Sequence, residues 1–333
     1  MASIHNILIR GDGVAAFCCA HLLRSAGFRV AVERSGRARV PAIMLSEPAI
    51  RLIRDVFEKP TLFAGLPRIE RRVVSWNASP VSLTHSACVV SEQALLAALE
   101  DGELREPSLA TTDFTIYTSK PLPSTIVEQC FGSRHASAAA VQLKDPADSS
   151  ACWIEAVEDG WLFLIPNATE STWLLAVGAP LDSLLEQSRL ISARIGLLGG
   201  QAGEFSACPR LVDPLHGNEW VACGSAALAF DPVCGDGTAQ AVREAILAAA
   251  VIRGIAAGGD AAALCAYYET RLIAAMRLHL SLCAQFYRTG GTGRWWKAEL
   301  ESLAEGHRWC TSKMESAGEP RYQLRDFVLE CRA

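Results

Sequence analysis

Residues 8–23 read LIRGDGVAAFCCAHLL, and this stretch decides the fold. Gly11, Gly13 and Ala16 satisfy the spacing G-x-G-x-x-A. Ile7-Leu8-Ile9 ahead of them is the apolar run that a buried parallel strand requires. Val14 to Ser25 is helix-like, and Gly27 supplies its stop. Phe28-Arg29-Val30-Ala31-Val32 is a second strand, ending at Glu33, 22 residues after the first glycine. Strand, glycine turn, helix, strand and acid in this order predict a unit that grips a dinucleotide. Gly11 permits the tight turn, Gly13 lets backbone approach a pyrophosphate, and Ala16 lets helix pack on strand. Amides at the helix start, including those of Val14 and Ala15, then face the phosphates. Glu33 takes a ribose hydroxyl, and Arg34 and Arg39 just beyond it join the candidate cofactor-binding set. Asp12 stands between the glycines, where a negative charge opposes phosphate. It is expected to point away, with Arg10 offsetting its charge.

The rest of the composition bounds the answer. The chain has 333 residues, half of them hydrophobic, enough for two modest domains around a large core. Its net charge is −5 and no basic run occurs, so a nucleic-acid partner is not expected. Twelve cysteines are scattered without C-x-x-C or Cys/His ligand spacing. They are expected to be buried thiols of a cytoplasmic protein, with no metal site. The N-terminus runs straight into a strand, which predicts no signal peptide. No run reaches the ~20 apolar residues of a membrane span, and Ala245 to Ala257 reads as a buried helix.

Along the chain, helices are expected at Glu47 to Phe57 and at Ser91 to Leu99, the latter with Ser91 as N-cap. A strand is expected at Asp113 to Tyr117. Strands dominate Val127 to Val177, with Asp159-Gly160 as a hairpin turn. Leu181 to Leu198 reads as a helix ended by Gly199-Gly200. Ala261 to Tyr287 and Arg294 to Ala304 read as amphipathic helices. The fold class that follows is α/β: a Rossmann-like, doubly wound parallel sheet interleaved with an antiparallel-sheet substrate domain, plus C-terminal helices. The expected division gives 1–60, 86–120 and 210–260 to cofactor binding. It gives 61–85 and 121–209 to the substrate sheet, and 261–333 to the helical region.

A second glycine-rich segment, WVACGSAALAFDPVCGDGTAQAVREAILAA, spans Trp220 to Ala249. A buried strand ends at Gly224, a loop carries Asp231-Pro232, and Gly235-Asp236-Gly237-Thr238 opens a long helix. Such a helix start directs amides at an anion or at an electron-rich ring oxygen. Here the residues resemble the FAD-binding pattern of para-hydroxybenzoate-hydroxylase-type flavoproteins. The resemblance implies that Gly11, Gly13 and Glu33 hold the adenosine diphosphate half and that Gly235 to Thr238 face the flavin. The family's ribityl-binding aspartate is replaced by Ser225.

Within that group the flavin-dependent halogenase branch is most similar. VPAIMLSEPA resembles its glutamate box and places Glu47 at the box glutamate. GWLFLIP resembles its W-x-W-x-I-P motif, with Trp161 and Phe163 as candidate substrate-pocket walls, and VVSWN resembles a further motif at Trp76. The branch's catalytic lysine position falls on Arg68 and its active-site glutamate on Cys234. An arginine stays protonated and cannot replace the lysine amine, and a thiol would itself be oxidised by hypohalite. Glu47, Arg68 and Cys234 are the candidate catalytic residues.

The resemblance therefore implies an FAD-dependent monooxygenase. It would hydroxylate a small aromatic or a tryptophan-containing polypeptide through a flavin C4a-hydroperoxide. Its electrons would come from NAD(P)H or a partner flavin reductase, since only one dinucleotide fingerprint is present. The alternatives are a halogenase and a degenerate flavoprotein with a binding role.

Overall fold

The computed structural model describes residues 4–100, 109–167, 171–316 and 321–332. The chain opens with β1 (Asn6–Arg10), α1 (Val14–Ser25), β2 (Arg29–Glu33), β3 (Ile43–Ser46), α2 (Glu47–Phe57), β4 (Ile69–Ser75), β5 (Val81–Val90), α3 (Glu92–Leu99) and β6 (Phe114–Tyr117). It continues through β7 (Val127–Cys130), β8 (His135–Leu143), β9 (Ala151–Val157), β10 (Gly160–Ile165), β11 (Thr172–Gly178), α4 (Leu181–Gln187), β12 (Ile195–Ser206) and β13 (Arg210–Asp213). It ends with β14 (His216–Gly217), β15 (Trp220–Ala222), β16 (Leu228–Ala229), α5 (Gly237–Ala256), α6 (Ala261–Gly290), α7 (Arg294–Glu315), β17 (Tyr322–Arg325) and β18 (Val328–Cys331).

Two sheets carry the architecture. The first has the order β14-β15-β6-β1-β2 and is parallel except at β14. Ile7, Ile9, Ile116 and Val221 on its central strands are fully buried, as a sheet covered on both faces requires. Helices α1 and α5 pack against each other. Buried Cys19 of α1 meets Ala245 of α5, sulfur to carbonyl oxygen 3.9 Å, and such small residues let two helices approach closely. The second sheet has the order β12-β8-β11-β10-β9-β4-β5-β3 and is antiparallel except where β4 runs beside β9. Ile43–Ser46, inside the stretch expected to serve the cofactor, forms the edge of this second sheet. No helix among the described residues is long and apolar enough to cross a membrane.

Two expectations are corrected. Leu181 to Leu198 is not one helix, because α4 stops at Gln187 and Gly199-Gly200 lies inside strand β12. The cause is the buried carboxylate of Glu155. It accepts the Ser188 hydroxyl at 2.5 Å and the amides of Arg189, Leu190 and Ile191 at 2.9 Å, which turns the chain out of the helix. The last helix runs beyond Ala304 to Glu315 and is followed by the hairpin β17–β18, which was not expected.

Candidate functional site

Strand β1 delivers the first glycine bend. Thr118 and Ser119, at the end of β6, bond back to the Arg10 carbonyl, the Thr118 hydroxyl at 3.0 Å. They crowd Gly11 so closely that a Cβ there would lie 2.2 Å from that hydroxyl, and Gly11 itself takes φ +129°. Only glycine fits such a position. Gly13 is the N-cap of α1, and no side chain caps its amides. By contrast α2, α3 and α6 are capped by Ser46, Ser91 and Asp260. The free amides of α1 are therefore available to a ligand.

Asp12 does turn away, but its counter-ion is Arg39 and not Arg10. Arg39 lies 3.1 Å from the Asp12 carboxylate and donates to its carbonyl at 2.6 Å, and Ser35 donates to the carboxylate at 2.7 Å. Arg10 instead pairs with Glu33 at 3.0 Å, across the β1–β2 register. Arg34 leans toward Glu100, 4.0 Å away.

The second bend begins where β15 meets Gly224, at φ +61°. Its amide donates to buried Glu244 at 2.8 Å, and burial raises the Glu244 pKa to about 8. Ser225 donates to the Thr118 carbonyl at 3.3 Å, tying the second bend to the first. Asp231 caps the short turn Pro232–Cys234, and Gly235, in the left-handed region, redirects the chain into α5. Asp236 is the N-cap of α5, but its side chain bonds Arg243 at 2.7 Å, so α5 is also uncapped by a side chain.

The two bends open on one cleft of about 310 Å³. It gathers Gly13, Val14 and Ala15 from the first bend, and Gly224, Ser225, Gly237 and Thr238 from the second. Gly11, Ala16, Glu33, Arg34, Arg39, Asp231, Pro232, Gly235 and Asp236 do not line it. Among the lining residues that had not been expected are Arg37 and Glu92, which form an ion pair across the cleft. A Cβ on Gly13 would lie 2.9 Å from the Arg37 guanidinium, so this cation stands directly over the glycine bend. Arg37 lies in the run RSGRAR, whose three arginines cannot be ranked without their partners.

The candidate catalytic residues do not converge. Glu47 and Arg68 pair with each other at 3.2 Å, on the first turn of α2 and just ahead of β4. The void beside Arg68 is about 10 Å³, room for roughly one water. Cys234 instead contacts Cys283 of α6, Sγ to Sγ 3.6 Å. Trp161 and Phe163 are buried core residues and line none of these cavities. Trp161 donates to the Tyr287 hydroxyl at 3.1 Å, which donates to Asp231 at 2.8 Å. Arg134, fully buried, lies 3.0 Å from Asp231 and 3.2 Å from Glu299, with its guanidinium over the Tyr287 ring. Burial raises the Asp231 pKa, and the Arg134 charge opposes that rise.

No family model matches the chain, and no curated protein matches it in sequence. Solved structures do match in shape. The peptidyl tryptophan dihydroxylase QhpG, essential for tryptophylquinone cofactor biogenesis, superposes with a TM-score of 0.69 at 17% identity, over 99% of this chain and 86% of its own. CmlS, a flavin-dependent halogenase, gives 0.75 at 18% identity, over 95% and 72%. HpxO of Klebsiella pneumoniae, solved with FAD, gives 0.61 at 15% identity, over 94% and 98%. The chain has the fold of FAD-dependent hydroxylases and halogenases. In that fold the expected pairing of a parallel sheet with a large antiparallel sheet is realised, and the glycine bends of both halves meet.

Proposed function

We propose that the chain is an FAD-dependent monooxygenase acting on an aromatic substrate. One observation carries the reading: glycine bends some 210 residues apart in sequence (Gly13 and Gly224) line the same cleft, each beside a helix start uncapped by side chains. The residues present fit the cofactor. Gly11 and Gly13 leave no room for a side chain, the α1 amides and Arg37 suit a pyrophosphate, and Arg39 neutralises Asp12. Glu33 would take the ribose, and the amides of Gly237 and Thr238 would face the flavin end. FAD supplies oxygen activation when bound; the protein binds it, orients it and excludes water.

Hydroxylation is favoured over halogenation because Arg68 is a permanently charged partner of Glu47, not a free amine, and Cys234 replaces a carboxylate. Trp161 and Phe163 are buried in the core, and the substrate favoured here is a tryptophan-bearing polypeptide over a small engulfed aromatic. The shape match to QhpG over nearly the whole chain supports the same choice. NAD(P)H or a partner flavin reductase would supply the electrons. The test is reconstitution with FAD. Absorption near ~450 nm on the purified protein, followed by oxygen-dependent hydroxylation of a tryptophan-containing peptide with a flavin reductase present, supports the reading. A protein that takes up no FAD overturns it.

A further inference from the structure

Away from the cleft, α6 brings a second group of reactive side chains against the loop before α5. Cys234 is half-buried, and its sulfur lies 3.6 Å from that of buried Cys283. His279, one helical turn before Cys283, places Nε2 3.3 Å from the same sulfur. Burial lowers the His279 pKa to about 3, so the imidazole is neutral. Its Nε2 accepts the Asp231 amide at 2.8 Å, and its ring stacks on Phe230 at 3.9 Å.

The donor atoms of Cys234, His279 and Cys283 all lie within 4.8 Å of one another, a spacing that a metal ion would also suit. The hydrogen bonds argue against one. The Nε2 lone pair is already occupied by the Asp231 amide. The Asp231 carboxylate, the neighbouring oxygen donor, is held by Arg134, Tyr287 and the Val233 amide. What remains is two thiols in contact beside a neutral imidazole.

We propose that Cys234 and Cys283 are an oxidisable pair, which hydrogen peroxide converts to a disulfide that ties the loop ahead of α5 to α6. The chemistry needs no flavin and stands apart from the function proposed above. Cys234 is the attacking sulfur, because it is the accessible one and it precedes the positive end of α5. Its thiolate attacks one peroxide oxygen, the O–O bond breaks, and the released hydroxide takes up the Cys234 proton as water. Cys234 is left as a sulfenic acid. Cys283 then attacks that sulfur, the S–S bond forms and the S–O bond breaks. The Cys283 proton joins the departing hydroxide, giving a second water. Two thiols lose two electrons and two protons, and one peroxide becomes two waters. The sulfurs must close by about 1.6 Å, from 3.6 Å to a disulfide bond of ~2.03 Å. Cys19 and Cys223 are an internal control: their sulfurs are 4.0 Å apart, but both are fully buried and neither touches an imidazole.

The experiment exposes the reduced full-length chain to hydrogen peroxide, alkylates the remaining thiols under denaturing conditions, and maps a non-reduced digest by mass spectrometry. The expected result is a Cys234–Cys283 cross-linked peptide, reversible by dithiothreitol, with Cys19 and Cys223 alkylated. In Cys283→Ser the sulfenic acid persists, so dimedone should label Cys234 roughly tenfold faster than Cys19. The proposal is overturned if Cys234 and Cys283 stay unlinked in the wild type, if links form only at Cys19–Cys223, or if one zinc per chain co-purifies and shields both thiols.

Discussion

Arg134→Met removes the one cation that two buried carboxylates share. Arg134 is fully buried and lies 3.0 Å from Asp231 and 3.2 Å from Glu299, and its guanidinium also donates to the Phe131 carbonyl at 2.7 Å. Removing one partner of a buried ion pair costs about 3–5 kcal/mol, since the charge left behind has lost its water as well as its partner. At ~2.1 cal/mol/K of unfolding entropy per residue, a chain of this length has a melting entropy of about 0.7 kcal/mol/K, so Tm should fall by about 4–7 °C. The pH dependence has a definite sign. Burial raises the Asp231 pKa while Arg134 lowers it, so the variant's carboxyl is raised further. A carboxyl whose native pKa lies above its unfolded value holds a proton that the unfolded chain has released, and stability is lost as pH rises through that window. The gap between wild type and Arg134→Met should therefore widen from pH 5 to pH 8 in differential scanning calorimetry. Adding Asp231→Asn and Glu299→Gln to Arg134→Met should recover most of the loss, because no charge is then stranded. A drop of under about 1 °C, or a gap that is the same at both pH values, would refute the reasoning.

Other perturbations separate the cleft from the rest of the molecule. Gly13→Val places methyl groups where a Cβ already meets Arg37 at 2.9 Å, and should weaken FAD binding tenfold or more, ~1.4 kcal/mol, by flavin fluorescence titration. Glu244 has a native pKa of about 8 against 4.5 for the free side chain. Wild-type stability should fall as pH rises between those values, by up to ~1.4 kcal/mol per unit, and Glu244→Gln should flatten that slope in chemical denaturation. Glu47→Ala breaks half-exposed pairs with Arg68 and Arg54, and should change stability by about 1 kcal/mol or less in the same assay.

What could be read from the sequence is what local chemistry decides. The start and stop of α1 follow from Gly13 and Gly27, and the start of α2 from the Ser46 cap and Pro48, all within a few residues of the helix they bound. The two glycine bends were legible for the same reason, because each carries its steric demand in its own spacing. What escaped was decided at a distance. The end of α4 is imposed by Glu155, about 33 residues upstream, and its amide-binding carboxylate leaves no mark near Gln187. The partner of Asp12 proved to be Arg39, because the loop after β2 folds back over the bend while Arg10 extends along the strand to Glu33. The environment of Trp161 is set by Tyr287, 126 residues later. Arg37 was passed over among three neighbouring arginines, and only the position of Glu92 singles it out.

The packing of the C-terminal helices has a spectroscopic consequence. Four of the eight tryptophans meet in one seam: Trp76 lies 6.4 Å from Trp161 and 5.6 Å from Trp296, and Trp295 lies 4.8 Å from Trp296. Indoles held tilted or edge-on at such separations couple their transitions, so the near-ultraviolet dichroism of this protein is expected to be dominated by one junction. That signal belongs to the polypeptide and not to any bound chromophore. It therefore gives a native optical gauge of whether α6 and α7 remain seated on the large sheet.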